Sequence, residues 1–317
     1  MVEAPFVEKY RPRSLKNVIG QDEIVTRLKS FISDKAMPHL IMAGPAGTGK
    51  TTSAIALAHD MFKSTFGQNF KELNASDARG IAVVRTMVKD FARTHPVGDV
   101  PFKILVLDEA DNMTAAAQHA LRRTMENYTK TCRFILICNY SNKIIAPIQS
   151  RCAVLRFMPL TNKEILGRLK YIAKKESINL TDEGSEAMLY VAGGDCRKAV
   201  NILQAVSTIT KDITEDSVYQ VTGRVYPEEI RNMLQLALEG EMNKSQEKLE
   251  NLLMAFGLAG SEIIKQIHSE VLNLEIPESV KIDLIRIVGE IDFRLNQGAS
   301  EMIQLNALLA KIVLLNY

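Results

Sequence analysis

Short apolar runs and longer stretches of helical periodicity alternate along the first half of the chain. The runs are His39–Met42, Phe70–Leu73, Ile104–Leu107, Phe134–Cys138 and Val154–Phe157. Between most of them lie Thr51–Phe62, Ile81–Arg93 and Ala115–Asn127, each long enough for three helical turns. Such strand–helix alternation predicts a mostly parallel sheet covered by helices. After Pro159-Leu160-Thr161 the strands are expected to stop. Asn162–Lys175, Thr181–Val191, Arg197–Ile209 and Thr214–Val221 read as four helices, with Thr181 and Thr214 suited to N-caps. A second break falls near Arg224-Val225-Tyr226-Pro227, and beyond it the pattern is helical to the end. Leu249, Leu252, Leu253 and Phe256 form one stripe, and Met302, Leu305, Leu309 and Ile312 another. The predicted organisation is an α/β domain over residues 1–160, a small helical domain over 161–225 and an all-α domain over 226–317.

Composition narrows the class without naming a chemistry. The 317 residues exceed one small core, and 46% hydrophobic with 24% charged is ordinary for a globular protein. No apolar run approaches the roughly 20 residues that cross a bilayer, so no membrane role is expected. The start lacks a basic segment leading into an apolar one, so no secretory signal is expected. Cys132, Cys138, Cys152 and Cys196 lie far apart with no C-x-x-C pair, which argues against zinc and redox motifs and for reduced thiols in a cytoplasmic compartment. A net charge of +2 does not advertise a nucleic-acid binder, although a local basic patch is compatible with it.

The chemistry enters at Gly44-Pro45-Ala46-Gly47-Thr48-Gly49-Lys50-Thr51, which fits G-x-x-x-x-G-K-[ST] between a strand and a helix. Glycines there let successive N–H groups turn onto phosphate oxygens, and the following helix, which includes Thr52, adds its positive end. Lys50 is expected to reach the β- and γ-phosphates of ATP and Thr51 to offer a hydroxyl to Mg²⁺. The strand Ile104–Leu107 runs into Asp108-Glu109-Ala110-Asp111, placing acids where ligands bind in such sheets. Asp108 suits the Mg²⁺ shell and Glu109 suits polarising the attacking water. Asn139 ends a third apolar strand, where it could either meet the γ-phosphate or form a turn. Arg151, in Ser150-Arg151-Cys152, could serve a surface ion pair or a phosphate.

Taken with Val7-Glu8-Lys9-Tyr10-Arg11-Pro12, Val18-Ile19-Gly20-Gln21, Leu73 to Asp77, Ala120 to Glu126, Cys138-Asn139-Tyr140, Pro147 to Cys152 and Gly193-Gly194-Asp195 before Arg197-Lys198-Ala199, these motifs resemble an AAA+ ATPase. More closely, nearly the whole chain resembles the replication factor C small-subunit family of sliding-clamp loaders, of archaeal type, with Ser150-Arg151-Cys152 the most specific segment. The resemblance implies an AAA+ P-loop domain, a helical lid and a helical collar. It implies that Val7, Tyr10, Arg11, Pro12 and Ile19 edge an adenine pocket, that Asn139 senses the γ-phosphate, and that Arg197 reports nucleotide state to the lid. It implies that Arg151 is an arginine finger acting on a neighbouring subunit's ATP. The implied partners are a large subunit, other copies of this chain in a five-membered heteropentameric ring, a sliding clamp and primer–template DNA bound without sequence preference. The implied location is cytoplasmic and nucleoid-associated, or nuclear in a eukaryote.

Arg85, Lys89 and Arg93 are spaced i, i+4, i+8, and with Arg79 they could follow a phosphate backbone or simply form a solvated helix face. Asn112 and Thr114, at the mouth of the Ala115 helix, are further DNA candidates. Gln118 and Arg122 could couple DNA to Glu109, and Met87 and Phe91 could meet a clamp or belong to the core. Two departures from the family stand out: Ala46 where proline is usual, and Ala78 where glutamate is usual. Two other readings compete with a clamp-loading ATPase. One is a paralogue that binds nucleotide without hydrolysing it. The other is an AAA+ branch-migration motor, for which a winged-helix C-terminus would be expected.

Overall fold

The computed structural model describes residues 4–75 and 84–315, with side chains of the second stretch from Thr86 onward. Five parallel strands, β1 (His39–Ala43), β2 (Phe70–Asn74), β3 (Lys103–Asp108), β4 (Cys132–Cys138) and β5 (Cys152–Arg156), form one sheet in the order β2-β3-β4-β1-β5. Every residue of β1 is buried, as are the apolar residues of β3 and β4. That burial on both faces is why these strands read as continuous apolar runs rather than alternating ones.

Alternate residues sort into two cores. Leu40, Met42, Ile104, Val106, Ile135 and Ile137 pack with Leu28, Leu57 and Phe62 on one face. Ile41, Leu105, Leu107, Phe134 and Leu136 pack with Val88, Leu121 and Met125 on the other. His39 opens β1 and is buried; its Nδ1 accepts the Phe134 N–H at 3.1 Å. The sheet carries the loops after β1, β3 and β4 to its carboxyl edge, where the phosphate motif, Asp108 and Asn139 all sit.

The chain divides into two compact units. The first takes residues up to Asn179 together with Ala192–Gln204, and the second takes Leu180–Val191 together with residues from Ala205 onward. Within the first, the Asn162–Lys175 helix opens with a capping box: Thr161 Oγ1 accepts the Glu164 N–H at 3.3 Å and Glu164 Oε2 accepts the Thr161 N–H at 2.7 Å. Within the second, Thr181 Oγ1 accepts the Gly184 N–H at 3.0 Å and Thr214 caps Glu215–Thr222, the roles expected of both threonines.

The expectation that strands end after Pro159 needs correction: two-residue strands Asn179–Leu180 and Asp212–Ile213 pair as a stub too short to show a periodicity. From Pro227 onward the described residues contain helices and no strand: Pro227–Leu238, Met242–Phe256, Gly260–Val271, Glu278–Asn296 and Glu301–Val313. Leu249, Leu252, Leu305, Leu309 and Ile312 are buried in one core with Ile230, Leu234, Ile267 and Leu284. Leu253 and Phe256 are only partly buried, and Met302, expected in the stripe, is 39% exposed. It lies in the first turn of its helix, before the buried face is established.

The Ile81–Arg93 helix also differs from expectation. Its described part is a π-helical segment, Val84–Val88, followed by an α-helix, Lys89–Arg93. The wider turn breaks the i, i+4 register on which an α-helical basic stripe depends. Arg79, Ala78 and Asp77 lie outside the described residues, as does the Arg85 side chain.

Candidate nucleotide site

The phosphate loop takes its shape from three positive-φ glycines: Gly44 (154°), Gly47 (69°) and Gly49 (93°). Gly49 is the left-handed N-cap of the Lys50–Phe62 helix, so the first helical N–H groups face the loop's interior. Lys50 is buried, and its Nζ donates to Gly44 O at 2.6 Å, Pro45 O at 2.7 Å and Asn139 Oδ1 at 3.2 Å. Burial lowers its pKa from the usual lysine value, and Asp108 opposes that shift. Thr51 Oγ1 donates to Asp108 Oδ2 at 2.7 Å, while Asp108 Oδ1 accepts the Glu109 N–H at 2.8 Å. Glu109 has a left-handed backbone (φ 54°) and accepts from Asn112 Nδ2 at 3.3 Å. Asp111 Oδ2 accepts the N–H groups of Asn139 and Tyr140, each at 3.2 Å, and so fixes the end of β4.

These groups border one cavity of about 290 Å³ within the first unit. Val7, Tyr10, Arg11, Pro12 and Ile19 line it together with Ala46, Gly47, Thr48, Gly49, Lys50, Thr51, Thr52, Asp108, Glu109, Asn139 and Arg197. Of the expected nucleotide contacts, only Gly44 and Pro45 stand behind the lining, where their carbonyls receive the lysine.

The cavity fits a nucleoside triphosphate with Mg²⁺. It has apolar side chains such as Val7 and Ile19, a cradle of N–H groups and a lysine, and a hydroxyl paired with one carboxylate. Mg²⁺ is usually held by one or two protein oxygens together with phosphates. No group of three metal-ligating side chains occurs among the described residues, so nothing here resembles a closed protein cage.

Several contributors went unrecognised in the sequence. Arg168, Ile172, Cys196 and Val200 come from later helices, and Leu160 from the loop after β5, and all line the same cavity. Arg168 donates to the Tyr10 carbonyl, and Tyr10 Oη donates to Glu176, which also pairs with Lys9 at 2.7 Å. Buried Gln21 bridges Thr48 O at 3.4 Å and Met158 O at 2.8 Å, joining the phosphate loop to the exit of β5. A run of polar residues such as Gly20-Gln21-Asp22 carries no mark of which side chain turns inward. Cys138 and Cys196 line the cavity, but burial raises each thiol to about 11, which makes both poor nucleophiles.

Arg151 does not line the cavity. Its Nη2 pairs with Glu126 at 2.6 Å and its Nη1 donates to Pro147 O at 2.7 Å, with the side chain 39% exposed. Arg122 Nε lies 3.7 Å from the same Glu126 carboxylate. Gln118, a candidate for coupling DNA to Glu109, makes its hydrogen bonds to two other loops. It is buried, donates to Met113 O and Lys143 O and accepts the Ile145 N–H at 2.8 Å, bracing two loops. Thr114 is occupied as the N-cap of Ala115–Asn127, accepting the Ala117 N–H at 3.3 Å. Lys89 is exposed, and Arg93 pairs with Asp90 at 3.6 Å. Met87 is 44% exposed, whereas Phe91 is half-buried beneath the Lys103 ammonium, 3.9 Å from its ring centre.

Comparison with known proteins gives the chain a family. The family model for "ATPase family associated with various cellular activities (AAA)" matches residues 40–160, and that for the "Replication factor C C-terminal domain" matches residues 225–311. The replication factor C small subunit of Methanococcus vannielii is 51% identical over 99% of this chain and 100% of its own length. The chain belongs to the replication factor C small-subunit family. Others in the family include the Staphylothermus marinus small subunit, 53% identical over 99% of this chain and 96% of its own length. The Archaeoglobus fulgidus small subunit is 51% identical over 96% of each chain. Family membership and the AAA domain make the chain an AAA+ ATPase of DNA replication. Among solved structures, the Thermotoga maritima RuvB Holliday junction branch migration motor aligns with a TM-score of 0.56 and 19% identity, covering 78% of this chain and 86% of that one. A point-substituted form of that motor aligns with the same score over 83% of this chain and 90% of its own. At that identity the likeness concerns fold alone.

Proposed function

We propose that this chain is a hydrolysing subunit of a clamp loader, using ATP to hold open a sliding clamp and place it on primer–template DNA. Its cavity carries all but one of the groups that phosphoryl transfer asks of a protein, which is chiefly positioning and charge stabilisation; Arg151 is the exception. Lys50 leaves the Gly44 and Pro45 carbonyls for the β- and γ-phosphates. Thr51 and Asp108, already 2.7 Å apart, hold Mg²⁺, which when bound neutralises charge on the phosphates. Glu109 polarises the attacking water, with Asn139 beside the γ-phosphate and Arg197 reporting to the lid. Val7, Tyr10, Arg11, Pro12 and Ile19 hold the adenine.

The observation that carries the ring mechanism is the position of Arg151. It lies outside its own chain's cavity and is paired with an exposed carboxylate, so it is free to serve another subunit's γ-phosphate. Surface ion pairs of this kind contribute only about 0–1 kcal/mol, so giving up Glu126 costs little. The division into nucleotide domain (1–160), lid (161–225) and collar (226–317) assigns assembly to the collar. The partners are a large subunit, further copies of this chain in a heteropentamer, the clamp and DNA. Lys89, Arg93, Asn112 and Arg79, with Arg85, supply sequence-independent backbone contacts. The work is placed in the cytoplasm at the nucleoid.

The test is ATP turnover by the reconstituted complex with clamp alone, primed DNA alone and both together. Turnover rising at least about tenfold only with both supports clamp loading; turnover indifferent to clamp overturns it. The branch-migration alternative lacks support from the described C-terminal residues, which contain helices where a winged helix would bring strands.

A further inference from the structure

The phosphate loop and the start of the Arg197 helix meet at Asp195. A Cβ built on Gly47 would overlap Asp195 Oδ1 and Cγ and fall 2.9 Å from its Cα. Gly47 and Asp195 are therefore in direct contact, with no room for a methyl group between them. The same Oδ1 accepts the Lys198 N–H at 3.0 Å, and Asp195 O accepts the Ala199 N–H at 3.0 Å, which makes Asp195 the cap of the Cys196–Ser207 helix. Two successive left-handed glycines, Gly193 (58°) and Gly194 (84°), turn the chain into this contact. Arg197, the second residue of that helix, lines the nucleotide cavity, as Gly47 does.

We propose that Asp195 is a positioning residue that transmits phosphate occupancy of the loop to Arg197. One oxygen performs two tasks, filling the space beside Gly47 and holding the first turn of the helix. When the loop closes on phosphates, Lys50 must leave the Gly44 and Pro45 carbonyls, and the backbone around Gly47 resettles. Gly47 cannot shift toward Asp195 without pressing on the atom that caps the helix, and cannot shift away without opening a gap there. Packed interfaces answer such displacements by moving together rather than deforming. The loop thus sets the orientation of Arg197, and a diphosphate and a triphosphate set it differently. This inference rests on the reading of Arg197 as the reporter of nucleotide state.

The test measures binding of ADP and of a slowly hydrolysed ATP analogue to the full chain, by competition with a fluorescent nucleotide. The proteins are the parent, Arg197→Ala, Asp195→Ala and Asp195→Asn. Amide exchange over residues 196–204 is followed with each nucleotide. Arg197→Ala is expected to reduce the preference for the ATP analogue about tenfold, within the ordinary range of coupling. Asp195→Ala is expected to reduce it as much, leaving ADP affinity within about twofold. Asp195→Asn, which keeps the volume and remains a good cap, is expected to retain the preference. The analogue is expected to protect residues 196–204 in the parent and in Asp195→Asn, and not in Asp195→Ala. Preference and protection both retained in Asp195→Ala would overturn the inference. So would equal weakening of both nucleotides, the mark of a plain cap. If Arg197→Ala leaves the preference unchanged, the reading of Arg197 fails, and the exchange measurement alone decides whether Asp195 carries the signal.

Discussion

Glu109 holds a left-handed backbone that suits asparagine or glycine better than glutamate. Its N–H is tied to Asp108 Oδ1 and its carboxylate to Asn112, so the surroundings impose the conformation. Strain of this kind costs about 1–2 kcal/mol and collects where a side chain must be aimed. Two substitutions separate aim from strain. Glu109→Gln should lower ATP turnover at least about a hundredfold while leaving nucleotide affinity within a few-fold, because only the group that acts on water is lost. Glu109→Asn should lose turnover equally but raise the melting temperature by about 2–4 °C, since asparagine tolerates the left-handed region. Thermal melts beside a phosphate-release assay check both. An unchanged or lower melting temperature for Glu109→Asn would mean that the strain is relieved elsewhere.

Two elements of the first unit show how local signals act on stability. Thr161 before Asn162, with Glu164 three residues on, was not singled out in the sequence, yet the pair forms both bonds of a capping box. Thr161→Ala should destabilise the first unit by about 1 kcal/mol, read from urea unfolding. At the start of β1, burial lowers His39 to about 4, against an unfolded value near 6.5. A folded-state value below the unfolded one gives stability that is full above about pH 6.5 and is lost as pH falls toward 4. The parent should therefore lose about 2 kcal/mol more than His39→Asn between about pH 7.5 and pH 5. Equal losses would mean that His39 titrates alike in the folded and unfolded chain.

The central strands β1, β3 and β4 were legible because a parallel strand buried on both faces leaves an uninterrupted apolar run, whereas the edge strands β2 and β5 are only partly buried and carry shorter apolar signals. The stub at Asn179–Leu180 and Asp212–Ile213 was not, since two residues have no period. The π-helical segment at Val84–Val88 was not, because one extra residue in a turn leaves the hydrophobic pattern almost unchanged. In the site, the loop after β1 and the acids after β3 carry their chemistry in consecutive residues and could be read directly. Arg168, Gln21 and Asp195 enter from distant segments, and periodicity gives a helix face without saying what that face meets.

At the scale of the whole molecule, the residues that line the nucleotide cavity do not include Arg151, and the proposed ring mechanism turns on that placement. The cavity within the first unit holds Lys50, Thr51, Asp108, Glu109, Asn139 and Arg197, while Arg151 waits on Glu126 outside it. A lone subunit should therefore bind ATP and turn it over poorly, and assembly should complete the site. The most direct test mixes Lys50→Ala subunits with Arg151→Ala subunits, with large subunit, clamp and primed DNA present. Each variant complex alone should be inactive. In the mixture, intact phosphate loops of Arg151→Ala subunits lie beside intact Arg151 residues of Lys50→Ala subunits, so turnover should return to a substantial fraction of the parent's. A mixture that stays inactive while labelled subunits demonstrably exchange would place Arg151 in its own chain's structure and contradict the account.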